Sequence, residues 1–270
     1  MFDTNPSLIQ DGPQHTHIWA PKPTPLILIH DGGGTIFSYY CLDTLSPARP
    51  LYGIANPHYH SGESFEGGIP QMARHYLSLI RSTFPSGGEV LLGGWSLGGL
   101  ISLAIAELAR GTDLKVVGIV MVDSVCPIGA DPEKMRKAVR HGVAWGESTR
   151  EDTKEKVLRC FSEAFRMVNE WELPEWGDDR WGAKPPPVVL LRAKEWVPVP
   201  EEAEGGGAVS RVDLHRNDRL LGWGGYRKDL VRKVVDIPGH HFNIFAMGNN
   251  LDVVSQEIGK ACVELEKFGR

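Results

Sequence analysis

The pentapeptide Gly94-Trp95-Ser96-Leu97-Gly98 holds the residue best placed to do covalent chemistry. A serine hydroxyl is a weak nucleophile unless the chain presents it on a sharp turn, beside a base that takes its proton. The flanking sequence has the required form. Glu89-Val90-Leu91-Leu92-Gly93 reads as a buried strand, and Leu97 to Ala109 reads as a buried helix. Strand, tight turn and helix are the setting of a nucleophile elbow, in which glycines let strand and helix pass closely and leave room around a strained serine. With 31 glycines in 270 residues, a G-x-S-x-G match would arise by chance roughly 0.2 times, so the setting carries the inference.

A nucleophilic serine also needs a histidine base, a carboxylate to orient that base, and two N–H donors for the oxyanion. The pair in Pro238-Gly239-His240-His241-Phe242 follows the last predicted strand, Val234-Val235-Asp236-Ile237. Sheet topology brings that strand end near Ser96, and spacing does not choose between the two histidines. His30, His58, His60 and His75 precede Ser96 and suit core or surface roles. Asp123 directly follows the predicted strand Val116–Val122 and is favoured as the acid over Glu195, which follows Val188–Leu191. A loop-capping role is the structural alternative for Asp123. Asp213 and Asp218 lie in a long loop, about 195–222, that reads as mobile and as a poor support for an orienting group. The Leu97 N–H supplies one oxyanion donor by geometry. Gly32 or Gly33, in the loop His30-Asp31-Gly32-Gly33-Gly34, suits the other. That loop lacks G-x-G-x-x-G spacing, which disfavours dinucleotide binding, and no cofactor or metal is expected.

The elements that must position these groups alternate. Leu26–Ile29 and Leu51–Ile54 read as strands, and Ile69, Met72, Ala73, Tyr76, Leu77 and Ile80 follow helical spacing. Together with the strand and helix around Ser96, this alternation implies a mostly parallel, doubly wound α/β sheet. From about 127 to 187 no strand is predicted. Helices over Pro132–His141 and Glu151–Glu170 form a helical lid insertion within a single domain spanning residues 1–270. Six of the eight tryptophans fall between Trp145 and Trp223, the pattern of an aromatic-walled pocket or of lid packing. Lys134, Arg136, Lys137 and Arg140 give the first lid helix a basic face. The formal charge of −5 gives no footprint for nucleic acid. Four scattered cysteines suggest a reducing compartment, the N-terminus lacks signal-peptide features, and apolar runs are too short to span a membrane. A soluble, cytoplasmic protein is expected.

Ser96 within Gly-Gly-Trp-Ser-Leu-Gly-Gly, Asp123 within Val-Met-Val-Asp-Ser-Val-Cys-Pro and His241 within Pro-Gly-His-His-Phe resemble the thioesterase domains of polyketide and nonribosomal peptide synthases. The first loop, with Ser38-Tyr39-Tyr40 after it, is similar too, and the resemblance runs from about Leu26 to the C-terminus. It implies an α/β-hydrolase fold, a triad of Ser96, Asp123 and His241, and an oxyanion hole from Leu97 and Gly32. It further implies cleavage of an acyl thioester on an acyl-carrier or peptidyl-carrier protein through an acyl-Ser96 ester, with release by hydrolysis or cyclisation in secondary metabolism. Such domains usually end a megasynthase. A chain that opens with Met1 and a lead of about 20 residues is expected to be free-standing. A carboxylesterase or lipase acting on oxygen esters, and an inactive hydrolase-fold binding module, are the competing expectations.

Overall fold

Short, wholly apolar runs become central strands because a parallel sheet is covered on both faces. In the computed structural model, which describes residues 4–13, 22–139, 145–146, 148–177, 184–200, 208–246 and 250–268, these runs build a seven-stranded sheet. In chain order the elements are β1 (Ser7–Gln10), β2 (Leu26–Ile29), α1 (Phe37–Tyr40), β3 (Leu51–Ile54), α2 (Gly68–Thr83), β4 (Gly88–Trp95), α3 (Leu97–Leu108) and β5 (Leu114–Val122). They continue with α4 (Pro132–Lys137), α5 (Glu151–Glu170), β6 (Val188–Ala193), a 3-10 turn (Arg211–Asp213), α6 (Trp223–Tyr226), β7 (Val231–Ile237) and α7 (Leu251–Phe268).

The strand order is β1-β3-β2-β4-β5-β6-β7, with β1 antiparallel to β3 and the other pairs parallel. Successive strand residues face opposite sides, so each strand serves two cores. Ile27, Ile29, Leu92, Ile119, Met121 and Leu190 pack with α2, α3 and α5 on one side. Leu28, Leu91, Val120, Val122 and Leu191 pack with Tyr39 of α1 and Val254, Ile258 and Leu265 of α7 on the other. The crossover direction reverses between β2 and β4, which lie side by side. In open α/β sheets the crevice beyond the strand ends at such a reversal is where ligands bind.

The predicted strands and the helices α2, α3 and α5 are present close to their expected bounds. The helix expected over Pro132–His141 ends at Lys137, where Ala138 turns extended and Val139 bridges in parallel to Ser210; residues 140–144 lie outside the described residues. Strand β1 was not expected, and it supplies the sheet's antiparallel edge. Among the described residues no helix is long and apolar enough to cross a membrane.

Candidate active site

The elbow forms because β4 runs directly into α3 with one residue between them. That residue, Ser96, has φ 54° and ψ −115°, a backbone conformation costly for any side chain but glycine. The turn is held by Ser96 N–H donating to Val122 O (2.9 Å), one step beyond the β4–β5 ladder. Gly98 is required sterically, since a Cβ there would lie 2.3 Å from Ile29 O of the neighbouring strand. Asp123 ends β5 in the same manner: its φ is 47°, and its N–H donates to Leu191 O at 2.7 Å. Ser96 and Asp123 thus sit at the ends of adjacent central strands.

His241 lies in the loop after β7 and joins them. Its Nε2 is 3.0 Å from Ser96 Oγ, and its Nδ1 is 2.8 Å from Asp123 Oδ2. Of the two histidines left open by spacing, His241 makes these contacts, while His240 Nδ1 accepts from the Phe242 N–H. Glu195 does not reach the imidazole. Its N–H donates to Gly239 O and its carboxylate accepts the Gly239 N–H, which shapes the loop carrying His241.

Behind Asp123 is a group that sequence reasoning passed over. Arg216 donates to Asp123 Oδ1 through Nη1 and to Oδ2 through Nη2, each at 2.7 Å, and its Nε donates to Asp213 Oδ1 at 2.8 Å. Asp213 also accepts the Val197 N–H (2.7 Å), and Asp123 accepts the Ala193 N–H (2.9 Å). Burial alone would raise the Asp123 pKa. The hydrogen bonds from Arg216 and His241 outweigh it and hold the carboxyl well below the usual range. The expectation of a mobile loop with no orienting role is therefore corrected for residues 208–222: Asp213 and Arg216 are buried there against the end of β5. Residues 201–207 lie outside the described residues. The one sequence signal was the i,i+3 spacing of Asp213 and Arg216 on a short turn.

The loop after β2 faces Ser96. Asp31 Oδ1 accepts the Gly33 N–H at 3.1 Å, and Gly34 N–H donates to Asp31 O. Those bonds occupy two of the three glycine donors. The N–H groups of Gly32 and of Leu97, the first residue of α3, have no acceptor among the described residues. Both residues line the cavity that contains Ser96 and His241. Burial raises Asp31 to about 6 against the Gly33 hydrogen bond and the charge of His241. The neighbouring His30, buried and bonded to the Tyr76 hydroxyl and Asp31 O, is lowered by burial to about 4. His30 is a core histidine, as expected.

The cavity measures about 420 Å³ and has mainly apolar walls, including Leu100, Val125, Met135, Phe161, Phe165 and Phe242. Leu158, Phe161, Phe165 and Val168 recur at helical spacing on α5, so one helix face forms a wall. That helix lies against the loop after β2: a Cβ on Gly32 would meet the Phe161 ring at 2.8 Å. The aromatic wall is phenylalanine, and among the described residues no tryptophan lines it. Trp171 and Trp223 are buried in the core, with Trp223 Nε1 donating to Ser124 O, while Trp176 stacks under Arg110. These bulky rings pack helices and loops on the sheet. Trp181 lies outside the described residues.

Comparison with known proteins gives a consistent set. The Thioesterase domain family matches residues 24–165. The probable thioesterase gloN of Glarea lozoyensis is 38% identical, over 98% of this chain and 99% of its own length. Among solved structures, the NocB thioesterase domain from the nocardicin cluster superposes with a TM-score of 0.62 at 21% identity, covering 89% of this chain and 94% of that one. The four-domain nonribosomal peptide synthetase AB3403 superposes with a TM-score of 0.64 at 22% identity, over 94% of this chain and 20% of that one. At such identities the two structures speak for the fold, which is the α/β-hydrolase fold.

Proposed function

This chain belongs to the thioesterase domain family, hydrolases of the type that serves secondary-metabolite biosynthesis, and from that premise we propose that it cleaves acyl thioesters in two steps through an ester on Ser96. In the first step Ser96 Oγ attacks the thioester carbonyl carbon as His241 Nε2 takes its proton. The carbonyl oxygen becomes an oxyanion held by the N–H groups of Leu97 and Gly32. The C–S bond breaks, and the thiol leaves with the proton returned by His241. In the second step the acyl-Ser96 ester is attacked by water, or by a nucleophile within the acyl chain, giving hydrolysis or cyclisation. Asp123 orients His241 and stabilises the imidazolium. Residues 1–270 act as one domain, and α4 and α5, within about 127–187, serve as the lid whose inner face receives the acyl chain.

The acyl group arrives on the phosphopantetheine arm of a carrier protein, a reading supported by likeness to part of a four-domain synthetase. The basic face of α4 is the proposed docking surface.

The observation that carries this proposal is the unbroken Ser96–His241–Asp123 hydrogen-bonded chain opening on an apolar cavity. Incubation with octanoyl-N-acetylcysteamine, followed by intact-mass analysis, is expected to give an octanoyl adduct on the wild type and none on Ser96→Ala. Turnover in the variant should fall by about a thousandfold or more. A Ser96→Ala protein that hydrolyses the thioester at the wild-type rate overturns the proposal. An oxygen ester turned over faster than its matched thioester would redirect it toward an esterase.

A further inference from the structure

The Asp123 carboxylate makes four hydrogen bonds, which fill its acceptor sites. Two come from one guanidinium in the fork-to-fork geometry that is both strong and directional. Arg216 is itself fixed, since Nη1 also donates to Ala193 O (3.0 Å) and Nε is held by Asp213. The result is a buried row of alternating charge, Asp123, Arg216 and Asp213, ending on His241, and each of the four residues is at most 4% exposed. In so dry a place charges act on one another strongly. A carboxylate already shared with a guanidinium attracts an adjacent imidazolium less than a lone carboxylate does.

We propose that Arg216 is a positioning residue that fixes the Asp123 carboxylate for His241 and weakens its hold on the imidazolium formed during acylation, with Asp213 opposing that effect. The proposal rests on the assignment of Ser96, His241 and Asp123 above. The groups facing His241 are Ser96 from the elbow, Asp123 from the end of β5 and Asp31 from the loop after β2, with the Trp95 and Phe242 rings packed alongside. His215 lines the same cavity, and Arg216 and Asp213 stand behind Asp123. Asp31, raised by burial to about 6, also faces His241, so the informative comparison is between variants that all retain it.

The test is the pH dependence of kcat/KM for octanoyl-N-acetylcysteamine in wild type, R216M, R216K and D213N. Active sites are counted in each protein with a fluorophosphonate. Removing the cation in R216M is expected to move the acidic limb up by about one pH unit, and removing the opposing carboxylate in D213N to move it down by about half a unit. R216K keeps the charge and loses the fork, so its limb stays in place while kcat falls about tenfold. A merely structural role would lower the count of active sites and leave the limb unmoved. Limbs unchanged in R216M and D213N therefore overturn the proposal. If R216M does not fold, the D213N shift against the R216K profile decides by the same criterion. Absence of fluorophosphonate labelling in the wild type would instead overturn the Ser96 assignment, and the proposal with it.

Discussion

Two adjacent residues of the loop after β2, His30 and Asp31, respond to pH in opposite senses. The folded chain holds His30 at about 4, below its ordinary 6.5, so stability is full above 6.5 and is lost as pH falls toward 4. It holds Asp31 at about 6, above its ordinary 3.8, so stability is full below 3.8 and is lost as pH rises through 6. Between about 4 and 6 the two slopes oppose each other. Removing one partner should expose the other. Asp31→Asn is expected to make Tm fall by a few degrees on acidification from pH 6.5 to 4, whereas His30→Gln should make it fall on alkalinisation across the same window. Calorimetry over that range checks both signs, and an unchanged slope in Asp31→Asn would refute the assignment for Asp31.

At the scale of elements, the contact between α5 and the loop after β2 sets the space above the serine. Gly32→Ala puts a methyl against the Phe161 ring, so either the ring or the proposed oxyanion donor must move. A fall in kcat/KM of about tenfold or more is expected, with substantial recovery in Gly32→Ala/Phe161→Ala. Strictly additive effects in that double-mutant cycle would show that the helix does not press on the loop. The same elements show what a sequence can disclose. Central strands were legible because burial on both faces leaves continuous apolar runs such as Leu26–Ile29 and Val116–Val122. Ser96 and Asp123 were legible as candidates because each follows such a run, and the histidine pair because it follows the last strand, whose burial is only partial. Strand β1 was not, since Ser-Leu-Ile-Gln at an edge has only partial burial to pattern it. Arg216 and Asp213 were hidden for a different reason: their loop has no periodicity, and their partners lie 16 and 93 residues away in the chain. The tryptophan cluster left pocket and packing equally open, because large aromatic rings serve packing as readily as ligand binding.

Over the whole molecule the charge distribution is uneven in a useful way. The chain carries a net −5, which would repel the proposed carrier protein, if acidic, from most approaches. On α4, Lys134, Arg136 and Lys137 are exposed and Met135 of the same helix lines the cavity, so the basic face adjoins the proposed acyl site. Lys137 is partly engaged by Glu133 at 3.1 Å, and Arg140 lies outside the described residues. Lys134→Glu/Lys137→Glu is expected to raise KM for a carrier-bound acyl group about tenfold at low salt, while turnover of a small thioester stays unchanged. Unchanged KM for the carrier-bound substrate would remove α4 as the docking surface. Among the described residues only three outside glycine have positive φ: Ser96, Asp123 and Leu221, the last at the end of the loop that supplies Arg216. Backbone distortion outside glycine is thus concentrated around the proposed reacting groups, and the rest of the fold must hold it in place. Robustness and chemistry are therefore in competition at these positions. Glycine at Ser96 would relax the turn and remove the proposed nucleophile, so on that reading selection for catalysis sets a ceiling on how far this scaffold can be stabilised at its own centre.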